Sequence, residues 1–151
     1  MFRNTLQVIL IILLLTILTN QTYSQDSNIK WELLPFKTEG DESVYYINFE
    51  ESNNDFNSDK LYQVWVKVVP DNYHLIQTQN YLKNFISDYS KYAYSTMLMS
   101  FNCSENTFAL IYNAEYSNKN QKLYEKFYDE VEAQYIRPNT IMNSIKEKFC
   151  K

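Results

Sequence analysis

The chain holds one histidine, His74, and two cysteines, Cys103 and Cys150, and any imidazole or thiol chemistry must be built around these three. A Ser/His/Asp or Cys/His nucleophile would have to use His74, the only imidazole. It stands between Tyr73 and Leu75 at the start of an amphipathic stretch, where a solvent-facing or helix-start residue is the plain reading. The two cysteines and His74 have no compact ligand spacing, so no metal centre is expected. Carboxylate pairs occur at Glu50 with Glu51, Asp129 with Glu130, and Glu130 with Glu132. Glycoside hydrolysis needs two facing carboxyls at a set separation, and adjacent acids near strand ends read instead as solvated loop charge. Asp55, Asn57 and Asp59 follow the opening of a calcium loop, but its sixth position is Lys60 instead of Gly and its twelfth is Val66 instead of Glu. A polar hairpin loop is expected there. No G-x-S-x-G elbow, phosphate loop, dinucleotide fingerprint or H-E-x-x-H occurs, and the sequence points away from an enzyme and from a cofactor.

The N-terminus has a different purpose. Arg3 precedes an apolar run, Val8 to Leu18, of the length of a signal-peptide h-region and short of the ~20 residues that span a bilayer. Thr22 and Ser24 place small residues at −3 and −1, so residues 1–24 are expected to be cleaved before Gln25, leaving one domain, 25–151. No cysteine is near that point to take a lipid, and no permanent membrane anchor is expected. The product would be periplasmic, surface-located or secreted. With 14 Lys and Arg interspersed among 18 Asp and Glu, the chain lacks the cationic cluster that nucleic acid requires.

An even cysteine count in an exported protein favours a Cys103–Cys150 bridge over free thiols, with a redox or intermolecular cysteine the weaker alternative. Tyrosine is abundant, at 14 residues, and Gly40 is the only glycine, so asparagine must supply left-handed turns. Asn-containing stretches at 53–57, 102–106 and 118–120 are the expected hairpin connections. Period-two alternation predicts strands over Ser43–Phe49, Leu61–Val69, Tyr92–Phe101, Thr107–Tyr112 and Lys122–Tyr128. Helical spacing predicts a helix within Asn72–Tyr89 and another after Pro138, with Ile141, Ile145 and Phe149 on one face. The fold class is then α+β, an antiparallel sheet of five or six strands with a C-terminal helix packed on it.

Trp31, the YYI of Tyr45–Ile47, the VWVK of Val64–Lys67, the FNC of Phe101–Cys103 and the RPNT of Arg137–Thr140, leading to Cys150, occur in an order and spacing that resemble the surface-adhesin protein E family of bacterial exported domains. The resemblance covers most of the mature chain. It implies that the FxC cysteine pairs with the one ending the C-terminal helix, and that the domain binds protein ligands without catalysis. The chain departs from the family pattern at Tyr135, Asn139 and Thr140, where Trp, Gly and Ser are usual, and in the long stretch Asn72–Tyr89. The alternative function is an envelope or periplasmic accessory protein with no host ligand. The expected binding face carries Trp65 and Lys67 on one strand and Lys122, Tyr124, Lys126 and Tyr128 on another, unless a helix covers those aromatics as core. An exposed face or edge also leaves a homodimer open.

Overall fold

In Leu61–Val69 the alternation of side chains folds as it predicts, with Val64 and Val66 buried and Leu61 and Gln63 exposed. This strand, β3, lies within an antiparallel sheet whose other members are β1 (Glu32–Leu34), β2 (Val44–Phe49), β4 (Tyr92–Asn102), β5 (Thr107–Ser117), β6 (Lys122–Phe127) and β7 (Gln134–Tyr135). The computed structural model describes residues 30–37, 40–49 and 61–150, all but Lys30 within one compact unit, Trp31–Lys151. The expected leader, the Glu50–Glu51 pair and the loop from Asp55 to Asp59 lie outside the described residues. Strands β1 to β6 neighbour one another in chain order, the meander that was expected, and β7 pairs with the beginning of β5.

The sheet is larger than the five or six strands expected, because β1 and β7 are too short for a periodic signal and β5 continues beyond Tyr112 to Ser117. Asparagine does take the turns: Asn106 and Asn120, in the connections after β4 and β5, and Asn139, before the last helix, have φ of 57°, 59° and 58°. An Asn side chain tolerates this left-handed region better than most.

Pro70 ends β3, and Asp71 starts α1 (Asn72–Leu82) by accepting a hydrogen bond from the His74 amide at 2.8 Å. The expected helix to Tyr89 stops at Leu82, and a 3-10 turn, Tyr89–Lys91, leads into β4. Asn84, Ser87 and Asp88 fill the gap, and their short polar side chains compete with helical backbone bonding; Asn84 Nδ2 donates to the Tyr81 carbonyl. Helix α2 (Ile141–Glu147) starts as predicted, with Thr140 accepting from the Asn143 amide.

Both helices meet the same side of the sheet. There Ile47, Val64, Val66, Met99 and Phe101 form the core with Ile145 of α2, and Phe149 packs against Phe101 and Tyr62 at ring separations of 5.3 and 5.1 Å. The Cys103–Cys150 disulfide, with Cα atoms 5.6 Å apart, joins the turn after β4 to the residues after α2. Helix α1 covers the other end of this side, with Leu82 buried and the ring of Phe85, just beyond the helix, 5.7 Å from that of Tyr124, whose strand partner Glu115 belongs to a polar centre. In that centre Glu115, 6 % exposed, accepts from Ser95 Oγ at 2.5 Å and from Asn113 Nδ2 at 2.9 Å, and Ser95 is bonded to the Tyr92 hydroxyl. Burial pushes the Tyr92 phenol up to about 12. Burial likewise raises the Glu115 carboxyl above its ordinary range, against the two hydrogen bonds that lower it.

Two outcomes follow from this packing. Closing a loop of this length removes about 4 kcal/mol of chain entropy from the unfolded state, so Cys103→Ser or Cys150→Ser should each lower thermal stability by many degrees. The double variant should equal either single one in calorimetry, since one bond is lost in every case. Glu115 holds its proton more tightly folded than unfolded, so its contribution is fully present below about pH 4.5, the ordinary carboxyl value, and is lost as pH rises through the raised folded value. Melting curves of Glu115→Gln against the native protein should therefore show the variant gaining in relative stability from pH 4 to 7.

Candidate functional site

The opposite side of the sheet carries no helix among the described residues. Register assigns it three rows of side chains running across the strands. Trp65 of β3 pairs with Leu98 of β4, Leu98 with Tyr112 of β5, and Tyr112 with Phe127 of β6. The next row is Tyr46, Lys67, Thr96, Ala114 and Glu125, and the third joins Tyr94, Tyr116 and Lys122. Aromatic rows thus flank a row whose centre is small.

The rings lie over that centre. Trp65 meets Tyr112 edge-on at 5.8 Å, Tyr112 lies 4.6 Å from Phe127, and Tyr94 and Tyr116 stack at 5.1 Å with planes 8° apart. Thr96 and Ala114 are consequently 1 % and 0 % exposed, although no second layer of described structure lies above them. Phe127 projects, 66 % exposed, and Trp65 is half-buried. Lys67 reaches over the Tyr94 ring with Nζ 4.1 Å from its centroid, and burial lowers its affinity for a proton.

The polar rim is tied down. Tyr112 donates its hydroxyl to Glu125 at 2.8 Å, Lys122 donates to the same carboxylate oxygen at 2.6 Å, and Tyr94 donates to Asn120 at 3.1 Å. The bond from Lys122, followed by that from Tyr112, holds the Glu125 carboxyl below its ordinary range, whereas burial and then Glu125 push the Tyr112 phenol up. The result is an aromatic surface on which Lys122 neutralises the Glu125 carboxylate and Lys67 lies over the Tyr94 ring.

Of the residues expected on the binding face, Trp65, Lys67 and Lys122 come together here. Tyr124 and Lys126 do not: they pair with Glu115 and Asn113, which places them on the helix side, where Tyr124 meets Phe85. Tyr128 follows Lys126, whose Nζ lies 4.6 Å from its ring centroid. The cause is the register shift between Glu115 and Tyr116, which brings Lys122 onto the row of Tyr116 but leaves Tyr124 and Lys126 on the other side. The lysines and tyrosines of β6 are thus divided between the two sides, Lys122 on the open one and Tyr124 and Lys126 on the helix side. Tyr94, Tyr112, Tyr116 and Phe127 complete the surface in their place, and their alternation in β4 and β5 was visible once register was known.

His74 occupies the first turn of α1, with 43 % of its side chain exposed, the helix-start position expected. The pair Glu130 and Glu132 and neighbouring Asp129 are exposed after β6, as solvated charge should be.

The Thr96 hydroxyl, buried under the aromatic rows, has no hydrogen-bond partner. An unmet buried hydroxyl costs about 1–3 kcal/mol, so Thr96→Val, equal in shape, should raise the midpoint of chemical unfolding.

No family model matches this chain, and neither a curated protein nor a solved structure matches it.

Proposed function

We propose that this chain is an exported, non-catalytic binding domain of the surface-adhesin protein E kind, and that it takes a protein ligand on the open aromatic side of its sheet. The observation that carries the reading is the row Trp65, Leu98, Tyr112, Phe127 beside Lys67, left without a covering element among the described residues. Phe127 is exposed and Trp65 half-buried over the buried rings of Tyr94, Tyr112 and Tyr116, and aromatic anchors beside a cation are the composition of interface centres, in contrast to scattered surface hydrophobes. The Cys103–Cys150 bridge suits an oxidising compartment, and no helix among the described residues is long and apolar enough to cross a membrane. Order and spacing of the YYI, VWVK, FNC and RPNT segments add the family resemblance, and the bridge between the FNC cysteine and the chain end agrees with it.

The domain without its expected leader, incubated with immobilised extracellular-matrix and plasma proteins and with an envelope extract, tests this. Binding to a matrix or plasma protein that falls at least about ten-fold in a folded Trp65→Ala/Phe127→Ser variant supports the proposal, since anchor residues carry about 2 kcal/mol or more. Retention of an envelope component alone would move the assignment to an accessory protein. Equal binding by the variant would place the interface elsewhere.

A further inference from the structure

Away from the aromatic surface, three potential metal ligands converge where α1 begins. Asp41 stands between Gly40 and β2, Asp71 caps α1, and His74 lies one turn on. One ligand atom from each lies within 4.8 Å of the others. His74 Nδ1 is 3.0 Å from Asp71 Oδ1 and 3.7 Å from Asp41 Oδ1. We propose that Asp41, Asp71 and His74 form a binding site for one divalent transition ion of the zinc type, which fastens the segment before β2 to the start of α1.

The spacing fits the chemistry. Bonds of 2.0–2.2 Å in a tetrahedral shell put ligand atoms roughly 3.3–3.6 Å apart, and the two imidazole–carboxylate distances bracket that range. Helix capping does not explain the group, because Asp71 alone caps α1, whereas Asp41 comes from a segment on the far side of β2 and β3. The ligands are also held from behind. Asp41 Oδ1 accepts from the Ser43 amide at 2.9 Å and Oδ2 from the Tyr45 hydroxyl at 2.7 Å, while Asp71 Oδ2 accepts from the Glu42 amide at 3.1 Å. Ser43, itself buried, accepts from the Asp71 amide at 3.2 Å and so joins the two acidic segments. Such outer contacts orient metal ligands and leave each carboxylate with a free lone pair.

Charge points the same way. Burial opposes ionisation of Asp41, but the bonds from Tyr45 and Ser43 outweigh it; the His74 amide does the same for Asp71, and both carboxyls are held below their ordinary range. Their ion-pair partner among the described residues is His74. With a neutral imidazole the group carries two negative charges, more than the half-charge of a helix N-terminus offsets and the amount one divalent ion balances. The tautomer that binds the ion through Nδ1 carries the ring proton on Nε2. The half-exposed ring leaves a path for the ion, and three protein ligands leave a fourth position for water. Calcium is disfavoured, because it takes six to eight oxygens and no imidazole.

The test uses the full domain with its disulfide intact, stripped by chelator and titrated with zinc chloride alone. Calorimetry should show one ion per chain and a higher melting temperature. Nitrogen NMR of the native protein should show the Nδ1 resonance of His74 displaced while Nε2 becomes the protonated nitrogen. Tyr45→Phe, which removes an outer contact, should weaken binding about ten-fold, and His74→Ala and Asp41→Asn by more than about a hundred-fold. Unaltered binding in a folded His74→Ala variant means an adventitious ion only, and overturns the site. So does an unmoved His74 resonance in the native protein, a readout that needs no variant.

Discussion

Everything in this fold depends on covering one side of the sheet with very little helix. The helix side holds Ile47, Val64, Val66, Met99 and Phe101, none more than 3 % exposed, and among the described residues the helical cover at their end is the two turns of α2. A helix of that length has no stability of its own in water, because nucleation outweighs the few bonds it makes. Tertiary contacts must hold it. Ile145 plugs the core, Phe149 wedges between Phe101 and Tyr62, and the Cys103–Cys150 bond ties the end of the chain to the turn after β4. Lys146 and Lys148 add hydrogen bonds to Asn106 and Glu32 from their own side chains. Without the covalent tie the helix would have to repay its ordering from contact area alone, and the core residues under it would face water.

Spending both helices on one side decides the character of the other. A sheet side with no second layer among the described residues must still keep water from its centre, and here aromatic side chains lie down upon it. Thr96 and Ala114 are sealed by their neighbours, chiefly tyrosines whose hydroxyls reach outwards to Glu125 and Asn120. Tyrosine suits this position because its ring supplies apolar cover while its hydroxyl stays satisfied at the margin. The richness in tyrosine is therefore a consequence of the architecture as much as a sign of binding.

The strands were legible wherever alternation was uninterrupted, as in β3, whose ends match the pattern residue for residue. β5 was read short because Asn113, Glu115 and Ser117 are polar on the side that alternation assigns to the core; only the Ser95–Asn113–Glu115 network makes those positions acceptable there. The side chosen for Tyr124 and Lys126 failed for a different reason. Side is a property of pairing, and neither the pairing of Lys126 with Asn113 and Tyr124 with Glu115 nor the shift that turns Lys122 to the other side can be read from β6 alone. The Cys103–Cys150 bridge was legible from cysteine count, compartment and family spacing together. The meeting of Asp41 with Asp71 and His74 was not, since spacing along the chain says nothing about two segments joined by a sheet.

The same tethering that stabilises the open side bears on the binding proposed for it. Interfaces lose affinity when side chains must be frozen on contact, and long flexible residues lose most. Trp65, Tyr112 and Phe127 are already packed edge to face, the Tyr112 hydroxyl is fixed by a carboxylate that Lys122 also holds, and Lys67 is laid over Tyr94. A partner meeting this surface finds its rotamers set. On the proposed reading the ordering cost is met when the domain folds, as part of sealing Thr96 and Ala114, and stability and binding draw on the same contacts. A change that loosens the rings should then weaken both together, which distinguishes this surface from a flexible loop site, where the two can vary independently.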